Sequence, residues 1–227
     1  MIVLAQQPAA SPPATRYRNA AVWWAALGEV PMERIVFDPL PGTATEADVL
    51  RLDDHEDRIC EFVDGTLVQK PGGYEESVIA ALIAYLLISF VRPRRLGYVS
   101  GAAGMMRILP TRIRIPDVAF LGFASLAGGK LPPGRVPRIS PDLAVEVLSH
   151  GNTRKEMNLK LVEYFAAGTR LVWHVDPPTR TIEVFTSPEN PRPLTMADRI
   201  DGGNVLPGFD VAVAEIFDID MPGELSS

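Results

Sequence analysis

The chain carries a single cysteine, Cys60, in 227 residues. That excludes an internal disulfide and any cysteine-rich zinc site. Beside a strand-like run, Cys60 reads as a small core residue. Histidine is equally scarce. His55, His150 and His174 show neither HxxxH nor HExxH spacing, so nothing points to helix-borne zinc chemistry. Long apolar runs are lacking too. Val78 to Val91 is strongly apolar but only 14 residues long, below the roughly 18 to 20 that a spanning helix needs. It reads as a helix buried in a core, and no membrane partner is expected. The opening stretch MIVLAQQPAASPPATRYRN has no basic n-region and no long apolar h-region. A secretory signal is therefore not expected, and the expected compartment is the cytoplasm. Finally, basic charge is in deficit. The net charge of −6 by itself speaks against a nucleic-acid binder.

What is present describes a folded protein. Apolar residues at 47% and charged residues at 22% supply a real core and argue against wholesale disorder. The length suits one domain of moderate size plus an extension. Residues 1–43 are rich in Pro and Ala, with a short aromatic piece, AVWWAALGEV. They read as a partly irregular extension that packs on the domain or on a partner. Residues 44–227 form the domain.

Within the domain the pattern alternates between strand and helix signals. Thr45-Glu46-Ala47-Asp48 has the spacing of a capping box ahead of a short helix, Ala47 to Leu52. In CEFVDGTLVQK, two β-prone runs flank Asp64-Gly65, which predicts a hairpin with a type I′ turn. Glu75 and Glu76 open the long apolar helix, where carboxylates suit the macrodipole. Arg92, Arg94 and Arg95 close it, and Pro93 is expected to stop it. Strands are expected over Met105 to Leu109, over Ile113 to Gly122 with a break at Pro116, and over Asp142 to Leu148. A helix from about Thr153 to Ala167 ends at Gly168. LVWHV and TIEVFT flank DPPTR as a second hairpin, and VLPGFDVAVAEIF reads as a strand and a short helix. Strands with interspersed helices, some joined by hairpins, predict an α/β (α+β) fold with a mixed β-sheet flanked by helices.

Charge is unevenly placed. From Arg92 to Arg138 there are nine basic residues (Arg92, Arg94, Arg95, Arg107, Arg112, Arg114, Lys130, Arg135, Arg138) and one acid, Asp117. The segment reads either as a polyanion-attracting stretch or as a set of solvated loop charges.

Three residues stand out chemically. Asp117 follows Pro116 in an otherwise apolar strand, RIRIPDVAF, where a carboxylate is costly unless paired, hydrogen-bonded or bound to a metal. Its plainer reading is a strand-end acid paired with Arg114 or another arginine. Glu146 has apolar neighbours on both sides in DLAVEVLS and calls for a partner. Lys160 lies on the edge of the apolar stripe Met157, Leu161, Tyr164, Phe165, while Lys155 projects to the opposite side. Lys160 either snorkels outward or points its amine into a site built by the preceding strand. Two carboxylates on neighbouring strands make a hard-oxygen site suited to Mg²⁺ or Mn²⁺. A lysine beside the metal can orient water or stabilise charge on a pentavalent phosphate.

Pro116-Asp117 followed by Glu146 at the centre of a strand resembles the PD-(D/E)XK nuclease superfamily. The common lysine two residues after the Glu is replaced here by Leu148. The chain resembles one branch more closely, the Uma-two family of restriction-endonuclease-like proteins. It does so at CEFVDGTLVQKP, RIRIPDVAF, DLAVEVLSHGNTRKEMNLKLVEYFAAG, RLVWHVDPPTRTIEVF and VLPGF, over about 47 to 219. The resemblance implies a restriction-endonuclease-like core, metal at Asp117 and Glu146, and a catalytic lysine migrated to Lys160. It also implies a further acid near the start of the core. Glu76, on the first long helix, and Glu61, on the first hairpin, are the candidates. Their plainer readings are a helix N-terminal charge and an exposed strand acid paired with Lys70 or an arginine. Ser149 and Asn152 to Arg154 shape a loop and cap a helix. Asp176-Pro177 is turn chemistry, and Tyr164 and Trp173 are core.

The expected function is then a metal-dependent endonuclease acting on DNA with Mg²⁺ or Mn²⁺, its backbone grip supplied by 92–138. By analogy with nucleases that cut two strands, a homodimer is expected. Two alternatives stay open: a catalytically silent nuclease-fold binding or assembly module, and a metal hydrolase acting on something other than nucleic acid.

Overall fold

A computed structural model describes residues 17–56 and 58–219. The stretch read for a secretory signal lies, up to residue 16, outside them. The chain runs through α1 (Ala20–Ala26), β1 (Ile35–Val36), α2 (Glu46–Glu56), β2 (Cys60–Val63), β3 (Thr66–Gln69), α3 (Tyr74–Arg94), β4 (Gly97–Ser100), β5 (Met106–Leu109), β6 (Arg112–Arg114) and β7 (Val118–Gly122). It continues through β8 (Leu143–Val147), α4 (Arg154–Ala166), β9 (Leu171–Asp176), β10 (Thr181–Phe185), β11 (Pro191–Leu194), β12 (Arg199–Gly202), β13 (Leu206–Ala212) and α5 (Val213–Ile216).

The fold is mixed α/β, as the alternation of signals implies, but the strands divide between sheets. An antiparallel sheet has the order β1-β3-β2-β6-β5, a mixed one the order β11-β10-β9-β8-β7-β4, and β12 and β13 pair separately. In the mixed sheet only β8 and β9 are parallel, joined by the α4 crossover. After β4 has joined the mixed sheet and β5 and β6 the antiparallel one, the chain returns to the mixed sheet between β6 and β7, at Pro116-Asp117.

The two faces of the mixed sheet carry different helices. α3 packs Ile79, Ile83, Leu87 and Val91 with Val118, Val145 and Trp173. α4 packs Leu161 and Tyr164 with Ala119, Ala144 and Val172. Side-chain alternation along β8 sends Val145 and Val147 towards α3, and Ala144 and Glu146 to the α4 side. That alternation aims the one acid of β8 at α4. Residues 17–43 pack on the antiparallel sheet: Leu27, Val30 and Ile35 join Val63 and Val68, with Trp23 and Trp24 against them. Arg34 forks onto Glu156 at 2.7 and 2.8 Å.

The turn Asp64-Gly65 has positive φ at both positions, 47° and 77°, as a type I′ hairpin requires. Thr153 caps α4 through its Oγ1, and Gly168 follows it at φ 98°. Three expectations need correction. The short helix predicted to end at Leu52 continues to Glu56. Pro93 does not stop α3, which ends only at Arg95 in the left-handed region. A proline removes one donor, the one that would serve the Ser89 carbonyl, but not the neighbouring bonds: the Arg95 and Leu96 N–H groups still close the last turn onto Arg92 and Val91. The resulting 21-residue helix is long and apolar enough to cross a membrane by length and composition, unlike the shorter run read from sequence. Here its Ile79, Ile83 and Leu87 stripe covers the mixed sheet.

Candidate active site

Four elements converge. β2 supplies Glu61, the crossover supplies Asp117, β8 supplies Glu146, and α4 supplies Lys160 and Tyr164. Lys160 Nζ lies 3.0 Å from Glu61 Oε1 and 3.3 Å from Glu146 Oε2, and its side chain is 1% exposed. The amine therefore points inward and ties the two sheets together. Tyr164, one turn along the same helix face, donates its hydroxyl to Glu146 Oε1 at 2.7 Å.

Glu61 is buried, not the exposed strand acid of the plainer reading. Its Oε1 accepts the Ile115 N–H at 3.2 Å and its Oε2 accepts Arg114 at 2.7 Å. Burial alone would raise its pKa. Lys160, then Arg114 and Lys70, outweigh burial and hold the carboxyl at about 2. Arg114 also donates to Glu163, and Arg112 joins Glu163 and Asp64. This buried network backs the site and fixes α4 against β6.

Asp117 does not pair with Arg114. Its Oδ2 accepts the Val147 N–H at 2.7 Å, and its Oδ1 faces Lys70 Nζ at 2.7 Å. Lys70 also donates to the Ile115 carbonyl at 2.5 Å. Asp117 and Lys70 border an open cleft of about 480 Å³, together with Glu76, Val147, Gly73 and Gly101. Glu76 therefore sits at the cleft wall near the start of α3, its Oε2 folded back against Gly73. No hydrogen bond joins it to Glu61, Asp117 or Glu146 among the described residues.

The electrostatics are one-sided. Glu61, Asp64, Asp117, Glu146 and Glu163 face Lys70, Arg112, Arg114 and Lys160, five acids against four bases. Burial raises the Glu146 pKa, Lys160 and Lys70 lower it, and Asp117 and Glu61 push it up again, leaving it above the ordinary carboxyl range. For Lys160, burial lowers the pKa but Glu146 and Glu61 prevail and raise it. Lys160 thus stays an ammonium and cannot accept a proton near neutral pH.

Would these residues hold Mg²⁺ or Mn²⁺? Among the described residues no three His, Cys, Asp or Glu side chains are close enough to cage a metal. Mg²⁺ does not need a cage; it keeps several waters and binds through one or two carboxylates. Each oxygen of Asp117 and Glu146 retains acceptor capacity beyond its single bond. Burial is the main cause of the raised Glu146 pKa, with Asp117 and Glu61 adding to it, and a cation beside the carboxylate would offset both. The donor set fits a water-rich Mg²⁺-type ion and not a protein-caged one.

Residues outside the sequence reading complete the picture. Lys70 was visible only as a partner for Glu61, Tyr164 as core and Arg114 as a partner for Asp117. The i, i+4 spacing of Lys160 and Tyr164 was the available signal for a shared target. So was the i, i+2 spacing of Arg112 and Arg114, which places both on one strand face. His174 lies beside Glu146 across β8 and β9 and opposite Glu183 on β10. Of the nine basic residues in 92–138, Arg107, Arg112, Arg114 and Arg135 are engaged in ion pairs.

The model of the Uma2 family, described as "Putative restriction endonuclease", matches residues 46–214. One solved structure that is similar bears the description "a putative nuclease belonging to DUF820 from Anabaena variabilis ATCC 29413". It aligns with a TM-score of 0.63 and 17% identity, over 71% of this chain and 90% of that one, a likeness of fold alone. No curated protein matches the sequence. The family match spans well over half of the chain and contains every acid and amine of the site just described, and the protein belongs to the Uma2 family of restriction-endonuclease-like proteins.

Proposed function

We propose that this protein is a metal-dependent phosphodiesterase acting on DNA, with Asp117 and Glu146 as the residues that hold Mg²⁺ or Mn²⁺. The observation that carries the reading is the convergence of Asp117, Glu146 and Lys160 behind one open cleft. When bound, the ion supplies Lewis acidity and a more acidic water. The chain's own residues do the rest. The Val147 N–H and the Tyr164 hydroxyl fix one oxygen each of Asp117 and Glu146, leaving the other oxygen of each carboxylate directed at an ammonium. Lys160 bridges Glu61 and Glu146, keeps Glu61 ionised and opposes the burial that raises the Glu146 pKa. Glu76, on the cleft wall, is placed to accept a hydrogen bond from water. In hydrolysis, water adds to phosphorus, the bond to one ester oxygen breaks, and the water's proton ends on that leaving oxygen.

Arg92, Arg94 and Arg95 are exposed at the far end of α3 and have no ion-pair partner among the described residues. A 21-residue helix at 1.5 Å per residue is roughly 30 Å long. These arginines suit phosphates well away from the reacting one. The homodimer remains part of the proposal by analogy, and sedimentation at micromolar concentration tests it.

One observation favours a second reading, a silent binding module. Lys70 and Lys160 already neutralise much of the carboxylate charge. Nicking of supercoiled plasmid separates the two. Wild type with Mn²⁺ should nick, and Asp117→Asn should not. A wild type that leaves plasmid intact at millimolar Mn²⁺ sinks the enzymatic reading.

A further inference from the structure

We propose that Lys70 is the amine this site presents to substrate, and that it exchanges Asp117 for phosphate oxygens once the two carboxylates hold a divalent cation. The inference rests on the nuclease reading above and deepens it.

The two lysines of the site are not equivalent. Lys160 is 1% exposed, sits between two buried carboxylates and does not border the cleft. Moving its ammonium would strip Glu146 of its one ion pair among the described residues and leave Glu61 with Arg114 alone. Lys70 borders the cleft, and its ion-pair partner Asp117 is 16% exposed. Losing Lys70 therefore leaves Asp117 in contact with water. The Lys70 backbone is anchored, its N–H donating to the Ile59 carbonyl at 2.8 Å, so only the flexible side chain needs to move.

The exchange follows from which oxygen Lys70 covers. Asp117 Oδ2 is committed to the Val147 N–H, and Oδ1 is the oxygen turned to Lys70. A cation held by Asp117 would sit beside the Lys70 ammonium on that carboxylate, and like charges at that range repel. The displaced ammonium remains beside the cleft, where a phosphodiester bears negative oxygens. Three rotatable N–H donors on a four-carbon stem suit that task. Lys70 thus acts twice: as an internal counter-ion before loading, and as a phosphate contact after it. Lys160, buried and permanently charged, acts as a positioning residue through Glu146.

The test pairs two readouts on the same full-length preparations: calorimetric titration of Mn²⁺ without DNA, and plasmid nicking. Lys70→Met should bind Mn²⁺ at least about fivefold more tightly than wild type, because a competing charge is gone. Its nicking should fall at least about 100-fold, because a donor to the developing phosphate charge is gone. Lys70→Arg should return Mn²⁺ affinity towards wild type and recover part of the nicking. A residue that merely props up the fold would weaken both readouts together. A Lys70→Met protein that nicks at the wild-type rate, or binds Mn²⁺ no more tightly, overturns the role of Lys70 while wild-type nicking keeps the nuclease reading intact. A wild type that neither binds Mn²⁺ nor nicks overturns both.

Discussion

Lys160 and Tyr164, one turn apart on α4, hold the two oxygens of Glu146 between them. The ammonium lies 3.3 Å from Oε2 and the hydroxyl 2.7 Å from Oε1. The helix that follows β8 in sequence thereby orients the one acid that β8 sends to its side of the sheet.

The hydroxyl of Tyr164 can be removed with little change of shape. Tyr164→Phe should cost about 1.5–3 kcal/mol, the usual worth of a bond to a charged acceptor. It should also weaken Mn²⁺ binding several-fold, because Glu146 loses the donor that fixes it. Urea denaturation and Mn²⁺ titration check the two effects. Unchanged stability would mean the hydroxyl does not bind Glu146 in solution.

Lys160 neutralises two buried acids at once. Lys160→Met should lower stability by about 3–5 kcal/mol, as expected when a buried pair loses one partner. Adding Glu146→Gln should recover part of that loss, because it removes the stranded charge, whereas Glu61 keeps Arg114 as its partner. A Lys160→Met protein as stable as wild type in denaturant contradicts the buried arrangement. Loss of activity in that variant alone would say little about chemistry.

Two groups give acid sensitivity in separate windows. Burial first, then Lys160 and Arg154, lower His174 from 6.5 to about 4, although Glu146 and Glu183 flank it in register on β8 and β10. Above pH 6.5 the ring is neutral in both states and its contribution is complete. As pH falls from 6.5 to about 4, the unfolded chain takes a proton that the folded one refuses, and roughly 3 kcal/mol is lost. Glu61, held at about 2 against an ordinary 4.5, gives a second loss as pH falls from 4.5 to 2. Denaturant titrations across pH 4 to 7 should show a slope that flattens in His174→Gln. An identical slope in the variant would rule His174 out as its source.

The exposed arginines at the end of α3 make a salt-dependence prediction. Replacing Arg92, Arg94 and Arg95 with Ala should reduce the slope of log affinity for DNA against log salt by up to about 3. Mn²⁺ binding should stay as in wild type. Fluorescence anisotropy over a salt series measures it, and an unchanged slope excludes this surface from the DNA track.

Asp117, Glu146 and Lys160 were legible because each breaks an apolar pattern, where an unexplained charge is costly. Their partners were less so. Lys70 follows β3 in a Pro-Gly-Gly stretch where a lysine is unremarkable, and only the fold brings it to Asp117. Glu61 looked like an exposed strand acid because a four-residue strand shows no preference between its faces. In the fold both faces are buried, with α4 bringing Lys160 onto the Glu61 side. Pro116 signalled a break in a strand, but whether the chain turns, bulges or changes sheet there depends on long-range pairing. Pro93 misled because local propensity favours a stop, while packing of Leu87 and Val91 holds the last turn in place.

The most direct test of the central claim is anomalous diffraction from crystals soaked in Mn²⁺. The account predicts one strong peak in contact with both Asp117 and Glu146, with the Lys70 side chain moved off Asp117. Saturating Mn²⁺ that leaves no peak between those two carboxylates, with Lys70 still seated on Asp117, would contradict it.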